Sequence, residues 1–229
     1  GISKRTLQNE MAALRAVLQQ AGRDKLASDA RLSNRTLGLA GASRNGTKQA
    51  IPERAYQSAL QKAQATDPGF AAALTLARLM GLRSQEAVQC AQSLKTWRQA
   101  LANGEQQLRV VFGTKGGRPR MTTVQDSVAV KQAVDRAISI AAERNGRLID
   151  ATDLKTAMNY WHNQARRCGL TGEHSPHSLR YAWAQDAVRY WLAQGLSKKE
   201  ALAQVSTDLG HGDGRGRYIR QVYGRGMEE

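Results

Sequence analysis

A mainly helical fold carrying one small β-hairpin is what this sequence predicts. Three observations carry the prediction. Apolar residues recur at helical spacing through most of the chain, capping residues mark where helices start, and β-rich sequence flanks a single Gly/Pro turn.

The elements follow in order. Residues 3–21 predict an amphipathic helix with Leu7, Met11, Leu14 and Leu18 on one face, Ser3 as its N-cap and Gly22 as its stop. Between Arg23 and Ala50 the pattern weakens. Ser43-Arg44-Asn45-Gly46-Thr47-Lys48 is a basic, turn-rich segment and Pro52 restarts helix, so a boundary is expected near residue 50. Residues 53–65 and 69–80 have helical periodicity, and Ser84 is expected to cap a further helix running to about Ala91. Leu108–Phe112 and Arg120–Val124 flank Gly113-Thr114-Lys115-Gly116-Gly117-Arg118-Pro119, which predicts the hairpin. Asp126–Arg144 is expected to be helical with Val130, Val134, Ala137 and Ala141 inward. Asp153 caps a helix whose expected apolar stripe is Leu154, Met158, Trp161, Ala165 and Cys168. Ser175-Pro176 reads as a cap followed by proline at the first helical position, and Ser197-Lys198-Lys199-Glu200 as a capping box for a helix ending at Gly210.

At 229 residues the chain is long enough for a full core in one or two domains. Its 34 Lys and Arg against 19 acids give a formal charge of +15, which points to a polyanionic partner, nucleic acid first. Charge alone leaves DNA and RNA, binding and catalysis, and a merely basic globular protein all open. Cys90 and Cys168 imply no disulfide framework and fit a reducing compartment, hence an expected cytoplasmic location. No apolar run reaches membrane-spanning length and no signal peptide opens the chain. It starts at Gly1 with a helix already under way, the expectation being a piece of a longer protein.

The last quarter holds the chemistry. His177 and Arg180 are three apart near a helix start, so both address one side and one phosphate. An arginine fork grips two phosphate oxygens and stabilises charge that grows in a pentavalent transition state. His211 follows Gly210 at a helix stop, where an imidazole exchanges protons with a nucleophile. Tyr218 and Tyr223 come next; a phenol with a free pKa near ~10 needs cations or a base beside it to act. Any one of these residues alone is more often structural; the ordered combination is what carries weight. A zinc site from Cys168, His174 and His177 has irregular spacing and no fourth ligand, the acids form no two-metal cluster, and a G-x-x-x-x-G-K loop is missing. No metal and no cofactor are expected.

Five segments in order resemble the tyrosine recombinase (phage integrase) family: Gly81-Leu82-Arg83-Ser84-Gln85-Glu86-Ala87, Gly113-Thr114-Lys115-Gly116-Gly117, His177-Ser178-Leu179-Arg180, Leu209-Gly210-His211 and a C-terminal tyrosine. The resemblance implies the family's catalytic-domain architecture over residues 51–229, preceded in 1–50 by part of a helical core-binding segment that contacts DNA. It implies that Arg83 and Arg180 clamp the scissile phosphate, with Glu86 steadying Arg83. Lys115 would protonate the leaving 5′-oxygen, and His177 and His211 would assist proton transfer. The tyrosine would form a 3′-phosphotyrosyl link that needs neither ATP nor metal. Its partners would be double-stranded DNA with specific core sites and three further copies in a tetramer assembled on that DNA, the free protein being a monomer.

The sequence departs from the family pattern at three places. Tyr181 stands where the family often has a second histidine, a structural position with little expected chemical consequence. The usual interval from the second motif histidine to the nucleophile lands on Arg220, so Gly212–Arg217 reads as a short insertion and Tyr223 as the nucleophile, with Tyr218 the alternative. Residues 1–50 are short for a core-binding domain. Further contacts to the DNA backbone are expected from Lys4, Arg5 and Arg15, from Arg44 and Lys48, from Arg118 and Arg120 at the hairpin, and from Arg215, Arg217 and Arg220 near the tyrosines. Site-specific recombination, serving a phage or other mobile element, is the leading expectation. Type IB topoisomerase-like relaxation and a non-cutting DNA-binding accessory protein are the alternatives.

Overall fold

The computed structural model describes residues 1–42, 49–212 and 216–223. The chain divides into two compact units, Gly1–Asn45 and Gly46–Glu229. Among the described residues the fold is mainly α with one two-stranded antiparallel sheet, and no helix is long and apolar enough to cross a membrane.

In the first unit α1 spans Lys4–Gln20, started by the Ser3 hydroxyl accepting from the Thr6 N–H. Leu7, Met11 and Leu18 are half-buried, whereas Leu14, expected on the same face, is exposed. A short α2 (Asp24–Ala27) and a 3₁₀ turn at Ala30–Leu32 occupy the stretch where helical periodicity fades. Arg15 on α1 donates to the Leu32 carbonyl at 2.7 Å and to Asn34 Oδ1 at 2.7 Å, which ties that turn back to the helix.

The second unit is built around α4 (Pro68–Met80), whose sequence Pro-Gly-Phe-Ala-Ala-Ala-Leu-Thr-Leu-Ala-Arg-Leu-Met is apolar nearly all round and is accordingly buried. Asp67 caps it. The Asp67 carboxylate accepts from Gly69 N–H, from Arg144 Nη1 and from the Tyr160 hydroxyl, so one buried acid ties the start of α4 to two segments distant in sequence. Around α4 pack α3 (Glu53–Thr66), α5 (Ser84–Gln89), α7 (Ser127–Ala142) and α9 (His177–Ala193). On α7 the inward residues are Val130, Val134, Ala137 and Ala141, as its periodicity predicts. α6 (Leu94–Ala102), which the periodicity reading does not mark, buries Leu94 and Trp97.

Three starts and faces differ from expectation by a residue or so. Arg83, not Ser84, holds the N-cap position of α5, because the Glu86 carboxylate reaches back to the Arg83 N–H at 2.8 Å. Pro176 precedes α9 as its cap, one residue later than predicted. On α8 (Leu154–Arg167) the buried line is Ala157, Trp161, Gln164 and Ala165, while Leu154 is exposed. That face is set by Trp161, whose ring meets Phe70 of α4 edge-on with centroids 5.0 Å apart.

β1 (Gln107–Val110) and β2 (Arg120–Thr123) pair with Val110 opposite Arg120 and Leu108 opposite Thr122. Gly113 in their connection has φ 74°, and a Cβ there would lie 2.3 Å from the Gln85 carbonyl oxygen, so only glycine lets the hairpin approach α5. The Ser197–Glu200 capping box opens α10 (Lys198–Asp208). A second apolar cluster joins α9 and α10 to α11 (Gly216–Tyr223), which the sequence reading does not predict as helix. Ile219, Val222 and Tyr223, spaced three and four apart, are the buried face of α11.

Candidate active site

The C-terminal ends of α4 and α10 meet beside β2 and α9, and three guanidinium groups fill the junction. Arg180 is fully buried. It donates through Nη1 to the Gly81 carbonyl at 2.5 Å and through Nη2 to the Leu209 carbonyl at 2.5 Å. Arg83 Nη2 reaches the same Leu209 oxygen at 2.8 Å. Arg120 donates to the Asp208 carbonyl at 2.6 Å and to the Gly81 carbonyl at 3.2 Å. Gly81 and Leu209 are the C-caps of α4 and α10. Carbonyls at helix C-termini lack intrahelical donors and carry the negative end of the macrodipole, so like charges collect there that would otherwise repel.

One carboxylate completes the cluster. Glu86 is buried, and its Oε1 takes Arg83 Nη1 at 2.7 Å and Arg120 Nε at 3.1 Å. Its Oε2 takes Arg120 Nη2 at 2.7 Å and the Arg83 backbone N–H. Burial works against the charged form of Glu86, but the hydrogen bond and charge of Arg120, the charge of Arg180 and the Arg83 N–H together hold its carboxyl down to about 2. For Arg180, burial reinforced by the charges of Arg120 and Arg83 brings the guanidinium down to about 10, against the pull of Tyr223 and Glu86; it is still charged at neutral pH. Asp208 is the second buried acid beside Arg120. Its carboxylate accepts from Thr123 Oγ1 at 2.6 Å and Gln204 Nε2 at 2.9 Å, yet burial outweighs these bonds and raises its pKa. The junction therefore holds a clear excess of positive charge, which suits a phosphate.

Next to Arg180 stands Tyr223. Its hydroxyl lies 3.2 Å from His211 Nε2 and its ring is only 4% exposed. Around that ring are Tyr181, with centroids 4.5 Å apart, His211 at 5.9 Å and His177 at 6.4 Å. Tyr218 also packs on His211, edge-on at 4.9 Å, but is far more exposed.

Of the residues the sequence singles out, Arg83, Glu86, Arg180, His177, His211 and Tyr223 are brought to one place. Lys115 stands exposed at the hairpin tip, outside this hydrogen-bonded cluster. Among the expected DNA contacts Lys4, Arg5, Arg118 and Arg220 are exposed. Arg44, Lys48 and Arg215, together with the side chain of Arg217, lie outside the described residues. Two of the expected contacts are engaged within the protein. Arg120 is buried and its whole guanidinium is taken by Glu86 and helix-end carbonyls. Arg15 directs its guanidinium to Leu32 and Asn34 within its own unit.

The sequence did carry a signal for Arg120. It pairs across the hairpin with Val110 and lies two residues from Thr122, both buried, so strand parity puts it inward. Tyr181, Gln185 and Asp208 carry no comparable mark, since their partners come from segments far away in sequence.

Residues 38–186 match the family model described as integrase, and residues 1–27 match the one described as phage integrase, N-terminal. None of the curated proteins or solved structures matches the chain. The larger match contains Arg83, Lys115, His177 and Arg180, and stops before His211 and Tyr223. Integrases of this kind are DNA-binding, phage-type site-specific recombinases. With well over half of its length matched to that model, the chain belongs to the integrase family.

Proposed function

We propose that this protein cuts and rejoins DNA at specific core sites through a phosphotyrosyl intermediate on Tyr223, serving integration or excision of a phage or other mobile element. One observation carries the proposal: the Tyr223 hydroxyl is 3.2 Å from His211 Nε2, beside a cluster of three arginines, two of them buried, and one buried carboxylate.

The chemistry balances without a cofactor. The Tyr223 oxygen attacks phosphorus, the P–O5′ bond breaks, and the phenol proton passes to His211. Lys115 protonates the departing 5′-oxygen, and the 3′-phosphate remains ester-linked to Tyr223. A 5′-hydroxyl from a partner strand then attacks the same phosphorus, the P–O bond to Tyr223 breaks, and the protons return. Arg83, with its side chain 21% exposed, and Arg180 stabilise the charge on the non-bridging oxygens, and His177 donates to them. Glu86 keeps Arg83 in place. Tyr218 contacts His211 by its ring, whereas Tyr223 offers it the hydroxyl, and this favours Tyr223 as the nucleophile.

Residues 1–50 act in this reading as part of a core-binding segment and 51–229 as the catalytic domain, working on the nucleoid in the cytoplasm. Four copies assemble on two DNA sites, and the free protein is a monomer. Light scattering without DNA is expected to give a monomer mass, and a stable tetramer would contradict this. Covalent trapping on a pool of nicked duplexes of randomised sequence tests the chemistry. The wild type and Tyr218→Phe are expected to give a protein–DNA adduct on denaturing gels, and Tyr223→Phe none. An adduct that disappears only with Tyr218→Phe would move the nucleophile to that residue. Equal adduct from all three would end the phosphotyrosyl reading.

A further inference from the structure

We infer that Tyr181 and Gln185 are positioning residues that seat Tyr223 before DNA arrives, a role that rests on Tyr223 being the nucleophile. His177, Tyr181 and Gln185 follow one another at four-residue steps, so they share one face of α9. That face meets α11 along its last turn. The Tyr181 ring lies 4.5 Å from the Tyr223 ring at an interplanar angle of 48°, and both are almost fully buried. His177 closes on the outer side of Tyr181, edge-on at 5.4 Å.

Gln185 acts on the main chain. Its Nε2 donates to the Tyr223 carbonyl oxygen at 3.2 Å, and Gln185 is itself buried. Tyr223 is the last described residue of α11, and the amide ties its carbonyl to a neighbouring helix. The tyrosine is thus held at three points by three residues: the carbonyl by Gln185, the ring by Tyr181 and the hydroxyl by His211.

Packing against α9 and α10 holds the described residues of α11 in place. Loss of the Tyr181 and Gln185 contacts would carry the phenol oxygen away from His211 and from the arginines, and a displacement near 1 Å costs on the order of a hundredfold in rate. Plain packing by Tyr181 and Gln185 would support α11 but would leave the rate of a folded variant untouched.

Three variants separate the two roles: Tyr181→Leu, Tyr181→Phe and Gln185→Met. Single-turnover attachment to the randomised nicked duplexes is measured at saturating DNA, together with the half-saturating DNA concentration and thermal unfolding. Tyr181→Leu and Gln185→Met are expected to slow attachment about tenfold or more, with half-saturation unchanged and both proteins folded. Tyr181→Phe, which keeps the ring, is expected to retain the wild-type rate. Wild-type rates in Tyr181→Leu and Gln185→Met, or an equal loss in Tyr181→Phe, would overturn the inference. A measurement without DNA runs alongside. In protein labelled with ¹³Cζ-tyrosine, the Tyr223 signal is assigned by its loss in Tyr223→Phe. It is expected to shift in Tyr181→Leu and Gln185→Met, and an unmoved signal in both would sink the seat. No adduct from wild-type protein would refute the nucleophile, while the labelled spectra would still decide the seat.

Discussion

Arg180→Met is expected to lower covalent attachment to DNA on the order of a thousandfold, the scale set by removing a preorganised donor from a developing anion. The fold is expected to survive. Both carbonyls that Arg180 serves keep a second donor, Gly81 from Arg120 and Leu209 from Arg83, so neither acceptor is orphaned. Repulsion from the other two arginines, which depresses the Arg180 pKa, is relieved at the same time. Methionine also fills much of the buried volume. Thermal unfolding within a few degrees of wild type, with attachment lost, is the expected pair of results. Attachment within tenfold of wild type would exclude Arg180 from the transition state.

Glu86→Ala is expected to do the opposite and destabilise the second unit strongly. It leaves the buried guanidinium of Arg120 without two of its acceptor atoms and Arg83 without its ion pair. An uncompensated buried charge of this kind costs about 3–5 kcal/mol, a large part of a domain's stability. Urea unfolding at neutral pH measures it, and a cost below about 1 kcal/mol would show that water replaces the carboxylate.

The same carboxylate sets an acid limit. Its folded pKa of about 2 lies below the ordinary glutamate value of 4.5, so the unfolded chain binds the proton more readily between those values. The stabilisation is complete above pH 4.5 and is lost as pH falls toward 2, amounting to about 3 kcal/mol. Asp67, also lowered, contributes in the same direction. Glu86→Gln is therefore expected to flatten, without abolishing, the fall in stability over that window. An unchanged slope would place the acid sensitivity elsewhere.

How much of this was legible in the chain follows from how local each cause is. The helices marked by a capping residue or by helical periodicity, α1, α3, α4, α7 and α10, are written within their own residues, and they formed where expected. So is the hairpin, whose glycines and proline announce the turn. The clustering of Arg83, Glu86, Arg180, His211 and Tyr223 was legible through the order of motif segments, although no single segment implies it. α11 was not, because its buried face is defined by packing against α9 and α10. The partners of Arg120 were not legible for a different reason. A basic residue near a basic hairpin tip suggests solvent and DNA, whereas its depth depends on the acid of α5 and the carbonyls of α4 and α10 arriving on the same side. Tyr181, set aside as a structural position, lies directly against Tyr223.

The shared Leu209 and Gly81 carbonyls have a consequence for how such a site is inherited. Main-chain oxygens do not change when side chains do. Substitutions at Asp208 or Leu209 that keep α10 ending where it does leave every guanidinium with its acceptor. The recognition of three arginines is thus encoded in where two helices stop. Gly81 is the exception, since its φ of 59° and the Trp183 ring 2.6 Å from where a Cβ would sit tie that stop to one residue type. That stop is closed to other residue types at this single glycine.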